Sequence, residues 1–397
     1  MVDKQSLKKA VDDYIAGLNP KLRQANRHIH DNPELGFEEH IAHDTLCDLL
    51  EECGFKVTRH AYGLDTAFEA VYGEGGRLVN FNCEIDALPM GHACGHNLNA
   101  TSAVTAFLAL SHILKQTGAP GRVQILGTPA EENGGGKIEL YNNGAYKGVD
   151  ASLMAHASGD SSGDAATFNS LARGEVDVTF KGKPAHAGAN PWDGVNALDA
   201  FVLFYNNLSL LRQQCPPDTR IHGCLLEGPK VPNIIPDHTK CRFQLRSGRL
   251  KTMFPLLEKL KNCAKAAALA TGCEVEIHDA APYADMLSMP AMNNCYLKNL
   301  KLYGIDGVES VDTSASTDQA NISYLMPNIH AIFRIPGAKG NPHQTEFVKD
   351  SGSDAGHDAA LTTGKAMAFT GFDVLADDEF FNSAHKDWQE ARAEADS

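Results

Sequence analysis

The segment Gly91-His-Ala-Cys-Gly-His-Asn97 places Cys94 and His96 two residues apart, and His92 lies two residues before the cysteine. A thiolate and an imidazole on a loop that can bend at Gly95 are able to bind a divalent metal ion such as zinc. The same pair also occurs by chance, as two loop side chains without a metal. It therefore predicts a metal site only if further ligands come from other parts of the chain.

Further ligand types follow short apolar segments that we predict as β-strands. Cys94 and His96 follow segment 78–85, and Glu131 and Glu132 follow segment 123–127. His156 follows segment 151–155, and His343 follows segment 329–335. Helical stretches such as 102–116 separate most of them, which predicts an α/β fold with a mostly parallel sheet. Proteins with such sheets bind small molecules and ions beyond the carboxyl ends of the strands. These residues supply one thiolate, three imidazoles and one carboxylate as candidate ligands, with a second carboxylate left over. Five ligands exceed the usual number for one zinc ion, so we predict two ions that share a ligand.

Two further helices are predicted near the amino terminus. Residues 3–30 have an apolar residue every three or four positions, and we expect Pro20 to interrupt them. Residues 38–53 form the second helix, which should end at Gly54 in a left-handed conformation.

The middle of the chain has a different pattern. Its predicted elements are strand 174–181, helix 193–212, strand 220–227, strand 238–245, helix 250–271 and strand 273–278. The order β-α-β-β-α-β is typical of a ferredoxin-like split module. We therefore predict one discontinuous domain, 1–171 and 285–397, with an inserted domain at 172–284.

Composition excludes some classes of partner. The 397 residues are 43% hydrophobic and 21% charged, with a formal net charge of -15. An acidic chain does not favour nucleic acid or an anionic membrane as a partner. Its longest apolar runs are too short to span a bilayer, and its amino terminus lacks the apolar core of a signal peptide. Ten cysteines without a framework of tight spacings indicate reduced thiols and a cytoplasmic protein.

Several candidate residues have plainer interpretations. Glu131 and Glu132 could be the acidic start of a helix near Lys137, which is common at helix amino termini. His156 could be a core histidine. His357 competes with His343 for the last ligand position, and we prefer His343 because it follows a strand directly.

Asp86 and His92 lie close in sequence to the Cys94 and His96 pair. We expect these two side chains to orient the metal ligands rather than to bind a metal ion.

Six motifs in fixed order resemble a known family. They are Pro33-Glu-Leu-Gly-Phe-Glu, Asp86-Ala-Leu-Pro-Met, His92-Ala-Cys-Gly-His, Pro129-Ala-Glu-Glu, Pro184-Ala-His-Ala-Gly and Asn341-Pro-His-Gln-Thr-Glu-Phe. The family is that of dimetal amidohydrolases of the aminoacylase, auxin-conjugate hydrolase and Xaa-Arg dipeptidase type, in metallopeptidase clan MH. The resemblance extends over nearly the whole chain. It implies a zinc-peptidase-like catalytic domain and an inserted lid or dimerisation domain.

The resemblance also implies roles for individual residues. The implied ligands of two divalent metal ions, zinc with manganese or cobalt as alternatives, are Cys94, His96, Glu132, His156 and His343. Glu131 matches the general base of the family. His186 matches a histidine that helps to hold the developing oxyanion in the active site of a dimer mate, and Asn233 matches a substrate-binding position. Cys94 lies at or near the position of the group that the two metals share, so Cys94 and His96 are expected to serve different ions.

The reaction implied by the resemblance is hydrolysis of the amide bond of a dipeptide or an N-acyl-amino acid. The expected partners are this small substrate and further copies of the chain in a homodimer or larger homo-oligomer. An aminoacylase or an aroyl-glutamate hydrolase is the alternative enzyme. Gln-Thr-Glu-Phe after His343 departs from the auxin-conjugate hydrolase motif, which argues against the substrate of that subgroup but not against His343 as a ligand. A metal-binding scaffold without catalysis is a further alternative, and the complete Glu131 and Glu132 pair argues against it.

Overall fold

The computed structural model describes residues 4–313 and 315–397. They form two compact units. The main unit contains the chain up to Asn169 together with Met286–Ala395, and the inserted unit is Ser170–Asp285.

Strands in the described residues belong to two sheets. They are β1 (Val57–Arg59), β2 (Phe68–Glu74), β3 (Leu78–Glu84), β4 (Gly121–Thr128), β5 (Ala151–Ser158), β6 (Ala165–Asn169), β7 (Ala172–Lys181), β8 (Arg220–Glu227), β9 (His238–Ser247), β10 (Glu274–Asp279), β11 (Val308–Asp312) and β12 (Asn328–Arg334). The main sheet has the order β1-β2-β4-β3-β5-β12-β6-β11. Strands β4, β3, β5 and β12 are parallel neighbours, whereas β1 and β2 pair antiparallel at one edge. The predicted α/β fold with a mostly parallel sheet is confirmed.

The helices of the described residues cover much of the remaining chain. They are α1 (Lys4–Asp31), α2 (His40–Glu52), α3 (His96–Thr117), α4 (Gly136–Asn142), α5 (Ala197–Leu211), α6 (Leu250–Thr271), α7 (Pro290–Lys301), α8 (Gln319–Ser323), α9 (Thr345–Ser351), α10 (Asp354–Ala376) and α11 (Asp378–Asp396). None of these helices is apolar enough over a sufficient length to cross a membrane.

The expected interruption at Pro20 is wrong, because α1 continues through this residue to Asp31. A proline inside a helix removes one backbone hydrogen bond, so the carbonyl four residues earlier needs another partner. Ala16, the residue four positions before Pro20, is exposed. Gly54 has φ 89° and has the expected left-handed conformation after α2.

The core of the main unit lies between its sheet and the helices α3 and α10, which pack against each other. Phe81 of β3, Phe107 of α3 and Phe369 of α10 are fully buried there. Helix α3 is buried on nearly all sides, so it lacks the polar face of a surface helix. It begins at His96, and the buried helix therefore fixes this candidate ligand at the carboxyl edge of the sheet.

The inserted unit has the element order β7, α5, β8, β9, α6, β10. Its antiparallel sheet has the order β10-β7-β9-β8, and two helices supply the rest of a separate core that includes Phe180, Phe204 and Phe243. The Asn196 side chain accepts hydrogen bonds from two backbone amides at the start of α5. This side chain satisfies amides that have no partner within the helix.

Candidate metal centre

The Cys94 thiol lies at the centre of the candidate site. Its Sγ atom is 3.4 Å from Nε2 of His156 and 3.4 Å from Nε2 of His343. The ligand atoms of Cys94, His96 and His156 all lie within 4.8 Å of one another. Gly95 makes this approach possible, because its φ of 81° is left-handed and a Cβ atom there would lie 3.1 Å from the Cβ of Ala157. The loop that the sequence predicted therefore meets the end of β5.

A second group of ligand atoms joins the same thiol to the carboxyl-terminal part of the main unit. The ligand atoms of Cys94, Glu132 and His343 lie within 4.8 Å of one another, and Nε2 of His343 is 3.4 Å from Oε1 of Glu132. His343 has φ 71°, a conformation that is uncommon for a residue with a side chain. Its backbone amide donates to the carbonyl of Ala93 at 2.8 Å, which ties it to the cysteine loop. Strain of this kind is concentrated at functional sites.

Hydrogen bonds at Nδ1 set the orientation of two imidazoles. Nδ1 of His96 donates to the backbone carbonyl of Asp86 at 2.9 Å and lies 3.0 Å from its Oδ1 atom. Nδ1 of His156 donates to the carbonyl of Ala157 at 2.7 Å. Because a carbonyl only accepts, the proton of the neutral ring is at Nδ1 and the Nε2 lone pair faces the cluster. Within the described chain, no hydrogen bond reaches Nε2 of His96.

The donor set fits divalent metal ions. It combines a buried thiol, three imidazoles and carboxylates, which are the usual ligands of zinc. Burial and the Glu132 carboxylate raise the pKa of the Cys94 thiol well above its usual range. A thiol in these surroundings becomes a thiolate when it coordinates a metal ion.

Glu131 lies beside the ligands on the turn after β4. Its carboxylate is within 4.8 Å of the ligand atoms of His96 and Glu132, and the side chain is buried. Burial raises its pKa well above the usual range, and the neighbouring carboxylates Glu84, Glu132 and Asp318 act in the same direction. A glutamate with a raised pKa next to a metal cluster has the properties of a general acid or base.

The turn that carries Glu131 and Glu132 is tightly constrained. Ala130 has φ 55°, and a Cβ atom at Gly136 would lie 1.9 Å from the carbonyl oxygen of Pro129. The backbone amide of Glu132 donates to Oδ2 of Asp86 at 3.0 Å. Asp86 therefore orients both a histidine and the turn of a glutamate, in line with the expectation for this residue.

Two other histidines have partners outside the cluster. Nε2 of His92 donates to the carbonyl of Ile29 in α1 at 3.2 Å. His357 lies in α10 with its ring nitrogens 3.0 Å from Nδ2 of Asn26 and 2.9 Å from Oδ1 of Asn19. Over residues 4–313 and 315–397, neither belongs to a group of clustered ligand atoms.

His186 and Asn233 belong to the inserted unit, where the two loops that carry them run side by side. Both side chains are exposed, and the amide of Ala187 donates to the carbonyl of Asn233 at 3.0 Å. The amides of Gly188 and Ala189 donate to Nδ1 of His186 at 3.2 and 3.1 Å. The proton of the neutral ring is therefore on Nε2, which leaves an exposed N–H donor.

Our sequence reasoning did not find a buried charged cluster that adjoins Glu131. Nζ of Lys137 lies 2.6 Å from Oε1 of Glu84 and 2.6 Å from Oδ1 of Asp318, and all three side chains are fully buried. Glu84, at the carboxyl end of a buried strand, was the one detectable signal, because an unpaired carboxylate is costly there. The partners Lys137 and Asp318 lie far from Glu84 along the chain, and their pairing depends on the tertiary fold.

Comparison with known proteins shows the family of the chain. Residues 81–372 match the model of peptidase family M20/M25/M40. The chain belongs to this family. It is 39% identical over 402 residues to the Xaa-Arg dipeptidase of Mus musculus, with 96% of this chain and 92% of the relative covered. It is 29% identical to a p-aminobenzoyl-glutamate hydrolase chain of Escherichia coli (strain K12), with 76% of this chain and 66% of the relative covered.

The fold of the family has been solved in other members. A dinuclear metal-binding peptidase of the family from Bacillus subtilis has a TM-score of 0.63 at 18% identity, with 88% of this chain and 98% of that chain covered. The predicted family resemblance is confirmed. As a member of peptidase family M20/M25/M40, the protein is a hydrolase that acts on amide bonds.

Proposed function

We propose that the protein is a dipeptidase that uses two divalent metal ions held by Cys94, His96, Glu132, His156 and His343. The observation that carries the proposal is the convergence of the other four side chains on the thiol of Cys94. Sγ of Cys94 belongs to one group with His96 and His156 and to another with Glu132 and His343. This membership of both groups supports a thiolate shared between the two ions.

Amide hydrolysis needs an activated water molecule, a proton carrier and a donor for the developing oxyanion. Metal ions held by these residues would lower the pKa of a bound water molecule and polarise the carbonyl of the substrate. Glu131, beside the ligands but separate from them, accepts the proton of the attacking water and returns it to the leaving amine. Thiolate and imidazole ligands favour zinc, and manganese or cobalt can occupy similar sites.

Cleavage of dipeptides with a basic carboxyl-terminal residue is the activity that the comparisons favour. The relative with that name is 39% identical over nearly the whole chain, whereas the aminobenzoyl-glutamate hydrolase relative is 29% identical over less of it. A formal net charge of -15 favours a cationic substrate over an anionic one.

A substrate panel tests this choice. The metal-loaded protein is given Ala-Arg and Ala-Lys with Ala-Glu as the matched acidic control, together with acetyl-arginine and aminobenzoyl-glutamate. We expect kcat/KM for the basic dipeptides to exceed that for Ala-Glu by at least about tenfold, equivalent to about 1.4 kcal/mol. Preference for acetyl-arginine would favour an aminoacylase, and preference for aminobenzoyl-glutamate an aroyl-glutamate hydrolase. No turnover in any assay would favour a non-catalytic scaffold.

We further propose that the inserted unit forms a homodimer through β8. This strand lies at the edge of its sheet, and Leu225 and Leu226 in it are 39% and 47% exposed. An edge strand with exposed apolar side chains is a template for pairing with another chain. Leu226→Lys should reduce the molar mass measured by light scattering to that of a monomer. The exposed Leu269 of α6 provides a matched control, since Leu269→Lys should leave the mass unchanged.

His186 is proposed to donate its Nε2 proton to the oxyanion in the partner subunit. Mixed dimers of Glu131→Gln and His186→Ala chains, isolated with two different tags, distinguish the arrangements. If His186 acts across the dimer, one site of each mixed dimer is complete and about half of the wild-type activity returns. If it acts within its own chain, both sites stay impaired. Asn233, on the neighbouring loop, is proposed to contact the substrate.

A cytoplasmic location is also proposed. All ten cysteines are free thiols, which suits a reducing compartment. Fractionation of the native source, with the protein detected by antibody, tests this location.

A further inference from the structure

The buried cluster of Glu84, Asp318 and Lys137 adjoins the base of the proposed reaction. Carboxylate oxygens of Glu84, Glu131 and Asp318 lie within 4.8 Å of one another, and all three residues are buried. Three carboxylates this close repel one another strongly in a medium of low dielectric constant. Such a group is stable only with a compensating cation or with bound protons.

Lys137 supplies a cation that is built into the chain. Its Nζ atom is 2.6 Å from an oxygen of Glu84 and 2.6 Å from an oxygen of Asp318. Its backbone amide also donates to the second oxygen of Asp318, at 2.9 Å. The Asp318 carboxylate therefore accepts from both the backbone amide and the ammonium of Lys137, which fixes the position of the ammonium. Burial opposes the charge, but the carboxylates of Asp318, Glu84 and Glu131 outweigh it and raise the pKa of Lys137.

The cluster also connects to the residues that flank the metal ligands. The second oxygen of Glu84 accepts from Nδ2 of Asn99 at 2.9 Å and lies 3.5 Å from Nε2 of His96. Oδ1 of Asn99 in turn accepts from the amide of Ala157, next to His156, at 2.9 Å. One oxygen of Glu84 therefore contacts Asn99, beside the ligands, and the other contacts Lys137.

We propose that Lys137 is a positioning residue for Glu131: its ammonium holds the carboxylates of Glu84 and Asp318 in place, and these fix the position of the neighbouring Glu131 carboxylate. Without this cation, the carboxylates of Glu84 and Asp318 would repel each other and move apart, and the Glu131 carboxylate beside them would lose its fixed position. A displacement of about 1 Å in a reacting group costs about a hundredfold in rate. This inference rests on the proposed function.

A double-mutant cycle tests the proposal. Lys137→Met removes the charge with little change in volume, and Asp318→Asn removes one of the opposing charges. We expect each single variant to lower kcat by at least about tenfold, at unchanged KM and unchanged metal content by elemental analysis. The double variant restores the net charge of the cluster, so its kcat should exceed that of Lys137→Met. A lysine that serves stability alone would leave kcat unchanged in the folded variant and lower only the free energy of unfolding.

Lys365→Met is the matched control. Lys365 forms a 2.6 Å ion pair with Asp12 away from the candidate ligands, so its loss should lower stability but leave kcat unchanged. A Lys137→Met variant with wild-type kcat, or a double variant no faster than Lys137→Met, would overturn the proposal. If Lys137→Met does not fold, Asp318→Asn alone decides, because wild-type kcat and metal content in that isosteric variant would also overturn it.

The wild-type enzyme separates this proposal from the function on which it rests. Absence of turnover by the metal-loaded wild type refutes both. Normal turnover by the wild type together with an unaffected Lys137→Met variant refutes the role of Lys137 alone.

Discussion

Asp86 is expected to control metal affinity without being a ligand. Its Oδ1 atom lies 3.0 Å from Nδ1 of His96, and its Oδ2 atom accepts from the amide of Glu132 at 3.0 Å. Asp86→Asn replaces one of these acceptors with an NH2 donor, so the side chain cannot accept at both positions. Loss of such a partner typically lowers metal affinity by about 10- to 100-fold, equivalent to about 1.4 to 2.8 kcal/mol.

The affinity of the Asp86→Asn variant is measured by competition with a chromogenic zinc chelator. Asp150→Asn is a matched control, because Asp150 accepts one amide hydrogen bond, from Leu78 at the other end of β3, and asparagine can keep it. The control should bind metal like the wild type. An Asp86→Asn variant that also retains wild-type affinity would show that the orientation of His96 does not govern binding.

Three further predictions concern Glu131, His343 and His357. Glu131→Gln should lower kcat by about 10²- to 10⁴-fold with full metal content, because only the proton carrier is lost; an active variant would exclude this base. His343→Ala should lose bound metal in elemental analysis while His357→Ala keeps it, and the reverse pattern would exchange the two assignments. Burial, with Arg23 beside it, lowers the pKa of His357 to about 4 despite the opposing charge of Asp354. The unfolded chain therefore binds a proton between about pH 6.5 and 4 that the folded chain does not. As the pH falls from about 6.5 to 4, the free energy of unfolding measured with urea should decrease more for the wild type than for His357→Gln. Equal decreases in the two proteins would contradict this.

The strands that carry the candidate ligands were predictable from sequence because they are short apolar segments with polar ends. The edge strands β1 and β11 were not, since β1 has three residues and the residues of β11 are mainly exposed. His156 illustrates a smaller error. It was expected after its strand, but β5 continues to Ser158 because its backbone pairs with β12 as far as Arg334.

Residue types, their positions after predicted strands and the family motifs together selected the side chains that converge at Cys94. They could not indicate that Asp86 would bond to both His96 and Glu132, because that geometry depends on how α3 meets the turn after β4. Lys137 was visible only as a residue near the start of a helix. Its burial between two carboxylates follows from the packing of α4 against α8, which are far apart in sequence.

Two metal ions held by Cys94 and its neighbours are the basis of the proposed catalysis. Its most direct test is titration of the metal-free protein with zinc while dipeptide hydrolysis and bound metal are both measured. We predict that turnover is absent without metal and reaches its plateau at about two equivalents per chain. Undiminished turnover by the metal-free protein, or a plateau at one equivalent, would contradict the account.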